Sequence, residues 1–286
     1  CDRAIPMRPG NAALDGPVPL LRGCAAAYLD LGTNRGLKIE ELLEARAGGF
    51  LRLFPAAYRG GANRPCVIGA EPNPSHAAHL RTIEAAQRAA GRRVTILNAA
   101  ISNANGEATF WSDLDEGAHE WGSSLLRWNR GMRPRNSSRV RTLSLDWLLR
   151  THLLPAAPRY VVAKVDIEGA EYGALPPALD ALCQGVDVLL LEMHARFFKE
   201  RWRGHRPGFS TNLSHVDHLI TLLKSLPSRR QAGRCRTRVQ WLATAEREHA
   251  YLSRPRGRAK QADRRTDPLR SRTHTGGTRV RTQKSD

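Results

Sequence analysis

The chain has 286 residues, 41% of them apolar or aromatic and 25% charged, which suffices for a core of ordinary size and excludes wholesale disorder. No run of about 18 apolar residues occurs, so no membrane-spanning helix is expected. The net charge of +18 is uneven: residues 229–286 hold 17 basic and 5 acidic groups, a net +12, and the remaining 28 basic and 22 acidic groups leave +6 for residues 1–228.

Residues 1–24 are rich in Pro and Gly and aperiodic, a loose lead-in. The chain opens on Cys rather than Met, a start compatible with a fragment or a trimmed leader. A repeating grammar then begins. Ala25–Leu31 is an apolar strand and Leu37–Ala47 a helix. Gly48–Arg64 reads as a surface loop, Pro65–Glu71 as a second strand. Pro74–Gly91 is a helix with Pro in its first turn and Gly at its C-terminal cap. Val94–Asn98 is a third strand, Arg159–Asp166 a fourth and Val186–Met193 a fifth, followed by an amphipathic helix over His215–Leu226. Alternating strands and helices, with strands apolar throughout, predict a mostly parallel sheet covered by helices on both faces. An insert separates the third and fourth strands. It holds a half-exposed strand, Gly106–Trp111, and a Gly-, Ser-, Trp- and Arg-rich stretch, Gly117–Ser138. The charge shift sets a boundary near Leu226–Arg230, giving a domain over 25–228 and a largely disordered Arg-rich tail over 229–286, in which only Arg238–Ala243 reads as a strand. Five cysteines without a CxxC pair or zinc-finger spacing read as reduced, buried thiols, and hence as a cytoplasmic protein.

In open α/β sheets ligands bind beyond the carboxyl ends of the strands. The first strand ends LDLGTNRG, with Asp30 at the strand end and Gly32 and Gly36 in the turn, a pattern shared by plain strand–helix connections. The second ends VIGAEPNP, where Glu71 stands where a ribose diol would be held, or is a solvated loop carboxylate. The first turn lacks a full GxGxxG, which disfavours a nicotinamide cofactor. The fourth ends AKVDIEGAE: Lys164, Asp166, Glu168 and Glu171 crowd round one Gly, and the acids need a cation, a proton or donors to offset them, although Glu168 and Glu171 also suit a helix N-terminus. The fifth ends LLLEMH, where His194 is a base, a metal ligand or a satisfied polar group.

Taken together, LDLGTNRG, AEPNP, NAAIS with GEATF, the pair Ser123–Ser124, KVDIEGAE and LEMH resemble the FkbM family of methyltransferases, in order and spacing, from about Tyr28 to Leu226. The resemblance implies a class I, Rossmann-like fold that binds S-adenosylmethionine and methylates a hydroxyl of a small molecule or saccharide. It implies that Asp30, Gly32, Asn34 and Gly36 form the first cofactor motif, that Glu71 holds the ribose with Asn73 beyond it, and that Asn98–Ser102 flanks the adenine. It further implies that Asp166 and Glu168 adjoin the methyl group and acceptor, and that Ser123 and Ser124 line the acceptor side. A hydroxyl acceptor must lose a proton, for which Asp166, Glu168 and His194 are the candidates. A divalent metal among Asp166, Glu168, Glu192 and His194 can be drawn but is not expected, because no HxxxH or close ligand pair is present. The closing acidic segment and antiparallel last strand of such folds are not recognisable after Cys235–Thr237. The competing readings are a nucleic-acid-associated protein acting through the tail, which carries only Trp241 and Tyr251 as stacking partners, and a non-catalytic member of the fold. Nucleic acid is the less expected partner, and oligomeric state is not legible.

Overall fold

The computed structural model describes residues 19–44, 50–114, 122–127, 132–194 and 213–242. The expectations for most of the N-terminal lead-in, for the middle of the insert and for the tail from Tyr251 onward lie outside these residues.

Among the described residues, nine strands and five α-helices follow one another: β1 (Ala26–Leu31), α1 (Leu37–Leu43), β2 (Cys66–Ala70), α2 (Ala77–Ala89), β3 (Val94–Leu97), β4 (Ala100–Ser102), β5 (Gly106–Trp111), β6 (Ser137–Ser144), α3 (Leu145–Leu148), β7 (Tyr160–Val165), α4 (Glu171–Gly185), β8 (Val188–Leu191), α5 (Leu213–Gln231) and β9 (Arg238–Trp241). Six strands form one sheet in the order β3-β2-β1-β7-β8-β9, parallel at every pairing. This is the Rossmann-like α/β sheet the sequence predicts. The chain runs outward from β1 through β2 to β3 and then returns to the other side of β1 as β7. The strand order therefore reverses between β1 and β7, which opens a crevice at their carboxyl ends.

The strands are apolar on both faces because both are covered. Ala26, Tyr28, Val67, Val94, Val162, Val188 and Leu190 form one core cluster with Ile39, Leu42 and Leu43 of α1 and Leu80 and Ile83 of α2. Alternate residues such as Leu29, Leu31, Ala163 and Val165 turn to the opposite face and are equally buried. α4 packs with α3 and α5, and ten of its fifteen residues are buried. The stretch read as a surface loop is more than that. Its three short 3-10 turns, Phe50–Leu53, Ala56–Tyr58 and Gly61–Asn63, bring Phe54 into the core at 1% exposure. α2 ends as predicted, with Gly91 at φ +74°. Its N–H donates to the Arg88 carbonyl and the Arg92 N–H to the Gln87 carbonyl, the paired bonds of a Schellman cap.

The insert builds a second, three-stranded sheet, β4-β6-β5, in which β5 runs antiparallel to β6 and β4 parallel. β4 and β6 were not legible as strands: β4 has three residues, and the even positions of β6 are Ser, Val, Thr and Ser rather than an apolar row. After β6 a Ser144 side chain caps α3 by accepting from the Trp147 N–H, and the helix runs on into a π-helical turn over Leu149–Leu153.

Two expectations need correction. Four cysteines are paired, Cys24–Cys66 and Cys183–Cys235, rather than reduced. The sequence separations of 42 and 52 residues gave no local signal; only the folded chain sets Cys24 beside the start of β2 and Cys235 beside α4. The boundary at residue 228 falls inside α5, and β9 continues the main sheet beyond it, so the fold extends at least to the end of β9. Arg236 ties this segment down by pairing with Asp187, and Thr237 donates to the carbonyls of Leu182 or Val186. Charge misled here because Arg236, just before β9, and Arg238, its first residue, lie at the surface while β9 is still hydrogen-bonded to β8. No described helix is long and apolar enough to cross a membrane.

Cross-links that close loops of this size stabilise by about 2–4 kcal/mol each. Replacing Cys183 and Cys235 together by Ser should lower the melting temperature by roughly 5–15 °C. A thermal melt that does not move would show that this pair is not formed in solution.

Candidate active site

A cleft opens at the carboxyl ends of β1, β2 and β7 and under the second sheet. Gly32, Asn34, Glu71 and His76 form one wall, Asp166, Ile167 and Glu168 another, and Ile101, Phe110, Ser123 and Leu125 the side supplied by the insert.

Beneath the floor lies a buried charge cluster. Asp30, the penultimate residue of β1, is fully buried, with Oδ1 3.6 Å from Lys164 Nζ and 3.5 Å from the Tyr28 hydroxyl. Its Oδ2 has no hydrogen-bond partner among the described residues. Burial pushes Asp30 up to about 6, against the pull of the Lys164 ammonium. Lys164 projects from β7, donates to the Gly32 carbonyl at 2.9 Å and lies 3.0 Å from Asp166 Oδ2. Burial opposes its charge, yet Asp30 and Asp166 outweigh burial and hold it protonated. One ammonium thus serves two carboxylates and the turn after β1.

Glu71 closes β2 at 7% exposure. Its Oε1 accepts from the Asn73 N–H at 2.9 Å and its Oε2 from the Asn34 N–H at 2.7 Å. Burial pushes Glu71 up to about 7, while those two donors pull the other way. Both oxygens are fixed by backbone, and each retains acceptor capacity. Asn34 adopts φ +51°, the conformation that turns its N–H onto the carboxylate. Asn73 supports the same turn, its Oδ1 accepting from Ser75 N–H and Oγ–H, and does not line the cleft. Asn98 is exposed beyond β3 and is not part of the cleft lining either. Gly36 shapes packing rather than the cleft: at φ +84°, a Cβ there would meet Ile83 Cδ1 at 2.6 Å.

The turn after β7 carries the second charged group. Glu168 sits in the left-handed region at φ +52°, an uncommon conformation for a residue with a side chain. The Ser124 hydroxyl donates to its carbonyl at 2.5 Å, and Glu171 Oε1 and Oε2 accept from the Ile167 and Gly169 N–H groups at 2.9 and 2.8 Å. Ser124 is 1% exposed and works on the backbone of this turn, whereas Ser123 lines the cleft and accepts from the Asp113 N–H.

His194, three residues beyond β8, stands behind the turn at 2% exposure. Its Nδ1 is 3.0 Å from Glu171 Oε1, and its Nε2 is 3.3 Å from Glu168, 3.8 Å from Asp166 and 3.9 Å from Glu192. Burial disfavours the imidazolium, but Glu171 and Glu168 overcome it and hold the ring well above its usual range. That differs from the near-neutral value expected of a base. Glu171, read from sequence as a helix-end carboxylate or a member of the acid cluster, is the fully buried anchor of both the turn and the imidazole. Its place in KVDIEGAE was visible; its role depended on His194, 23 residues away.

Gly32 is where the two strand ends touch. At φ +85°, a Cβ would overlap the carbonyl of Asp166. Gly32→Ala should therefore cost more than about 2 kcal/mol in a denaturant titration. Gly60→Ala, with extended backbone and nothing within 4 Å of its Cβ, should change stability by less than about 0.5 kcal/mol. Equal effects would show that the contact between the two turns is not tight.

A family model for the methyltransferase FkbM domain matches residues 30–233. Among solved structures, that of methyltransferase FkbM from Methylobacillus flagellatus KT is similar with 17% sequence identity and a TM-score of 0.32, covering 55% of this chain and 30% of that one. This chain thus spans less than a third of that neighbour's length. No curated protein matches. The matched segment runs from Asp30 at the end of β1 past the last turn of α5 and contains every charged side chain of the cleft: the chain belongs to the methyltransferase FkbM family.

Proposed function

We propose that this chain transfers a methyl group from S-adenosylmethionine to a hydroxyl of a small molecule or saccharide. The observation that carries the reading is Glu71: a carboxylate at the end of β2, clamped by the N–H groups of Asn34 and Asn73, in the cleft wall. That is the arrangement a ribose diol requires. Gly32 keeps the neighbouring wall free of side chain, Asn34 joins it, and Ile101, Phe110 and Leu125 offer an apolar surface suited to the flat part of a nucleoside. Asp166 and Glu168 at the cleft wall suit a cationic ligand.

S-adenosylmethionine, when bound, supplies an electrophilic methyl carbon on a sulfonium. The chain's own work is to hold the acceptor in line and to receive its proton. Asp166 and Glu168 line the cleft and are the groups we assign to the proton and to acceptor orientation. His194 does not line it; with both nitrogens beside carboxylates, it fixes Glu168 from behind. Ser123 stands at the acceptor side, and Ser124 holds the Glu168 turn. The domain so proposed runs from β1 to β9. The two disulfides favour an oxidising compartment over the cytoplasm expected from the cysteine count.

Equilibrium binding of S-adenosylmethionine tests the reading. Glu71→Ala should weaken it roughly 10- to 150-fold, the loss of a charged hydrogen-bonding partner; an unchanged affinity in the folded variant would end the ribose assignment. A pH series gives a second check. Ribose hydroxyls donate to the ionised carboxylate, so binding lowers the Glu71 pKa from about 7. Affinity should then be full above about pH 7 and fall as pH drops toward 5, and Glu71→Gln should flatten that slope.

A further inference from the structure

The geometry points to a divalent cation site formed by Asp166, Glu192 and His194, of which Asp166 lines the cleft. One oxygen from each carboxylate and one ring nitrogen lie within 4.8 Å of one another, contributed by the ends of two adjacent strands, β7 and β8. Nε2 is 3.8 Å from Asp166 Oδ1 and 3.9 Å from Glu192 Oε1. Around an ion with bonds of ~2.2 Å, neighbouring octahedral ligands are ~3.1 Å apart and opposite ones ~4.4 Å, so shifts of about an ångström or less would close the three atoms on it.

Acidity alone does not make the case. The third donor is an imidazole with one nitrogen bound to a carboxylate, as in metal-binding histidines, and the other within 4 Å of both carboxylate ligands, so that an ion displaces the proton that nitrogen now shares with Glu168. Here Glu171 is that carboxylate, fully buried and itself held by two backbone N–H groups. The ring cannot swing away without breaking that pair. Two carboxylates with one imidazole suit Mn²⁺, which takes hard oxygen donors and accepts nitrogen, better than a thiolate-seeking ion. The cation would sit beside Asp166 at the cleft, where a coordinated hydroxyl loses its proton more readily. That role rests on the methyl-transfer reading; binding of the ion does not.

Titration of Mn²⁺ into the metal-stripped full chain, followed by calorimetry and by the electron spin resonance of the free ion, tests the site. One ion per chain is expected. Asp166→Asn and Glu192→Gln, both isosteric at positions about a quarter exposed or less, should each weaken it at least 10-fold. Glu171→Gln touches no ion and should weaken it 10- to 100-fold by freeing the imidazole. Should Glu171→Gln fail to fold, the two ligand variants decide. Absence of a stoichiometric site, or binding unchanged by Asp166→Asn and Glu192→Gln, overturns the proposal. S-adenosylmethionine binding is measured on the same metal-free protein. Mn²⁺ binding without it refutes the methyl-transfer reading and leaves the cation site standing, and the converse result removes the cation site alone.

Discussion

The Lys164 ammonium joins the two strand ends on which the cleft depends. Its Nζ reaches Asp30 at the end of β1, Asp166 just beyond β7 and the Gly32 carbonyl between them. A buried charge is costly unless paired and hydrogen-bonded. Each of these groups would be unfavourable alone, and together they fix the separation of β1 and β7 at the point where the strand order reverses. The packing of Gly32 against the Asp166 backbone follows from this closeness, as does the exclusion of any side chain from that part of the wall.

A second layer of constraint governs the turn after β7. Glu168 is held in a left-handed conformation by contacts from three directions: Ser124 from the insert, Glu171 from α4 and His194 beyond β8. Strained backbone of this kind persists only when its surroundings over-determine it. The insert is therefore more than a cover. Its isolated bridge between Trp111 and Ser124 lines up Ser123 with the cleft and Ser124 with the turn, so one wall of the cleft and the acidic turn are set by one short segment.

The flanks of the sheet are secured differently from its centre. Cys24–Cys66 joins the starts of β1 and β2, and Cys183–Cys235 joins α4 to the segment entering β9. Both cross-links lie at the amino ends of strands, away from the carboxyl ends that carry the cleft. Stability and chemistry are thus separated along the strand direction, as in other open α/β sheets. β9 adds a parallel sixth strand to β8; among the described residues no antiparallel strand joins the main sheet.

The sequence by itself determined the alternation of strands and helices, because doubly covered parallel strands are apolar at every position and short. It also determined which residues end those strands, and so picked out Asp30, Glu71, Asp166, Glu168 and His194. It could not order the strands, since no local pattern says that β7 returns to the side of β1. It could not show that Lys164 is shared by two acids, that Ser124 serves a backbone carbonyl rather than the cleft, or that Asn73 and Gly36 serve turn and packing. Except for Asn73, whose partners Glu71 and Ser75 lie two residues away, those roles depend on partners 44 to 132 residues apart, such as Ser124 with Glu168 and Gly32 with Lys164. The disulfides and β9 escaped it for the same reason: cysteine spacing and charge are local quantities, whereas pairing is decided by where the folded backbone brings two segments together.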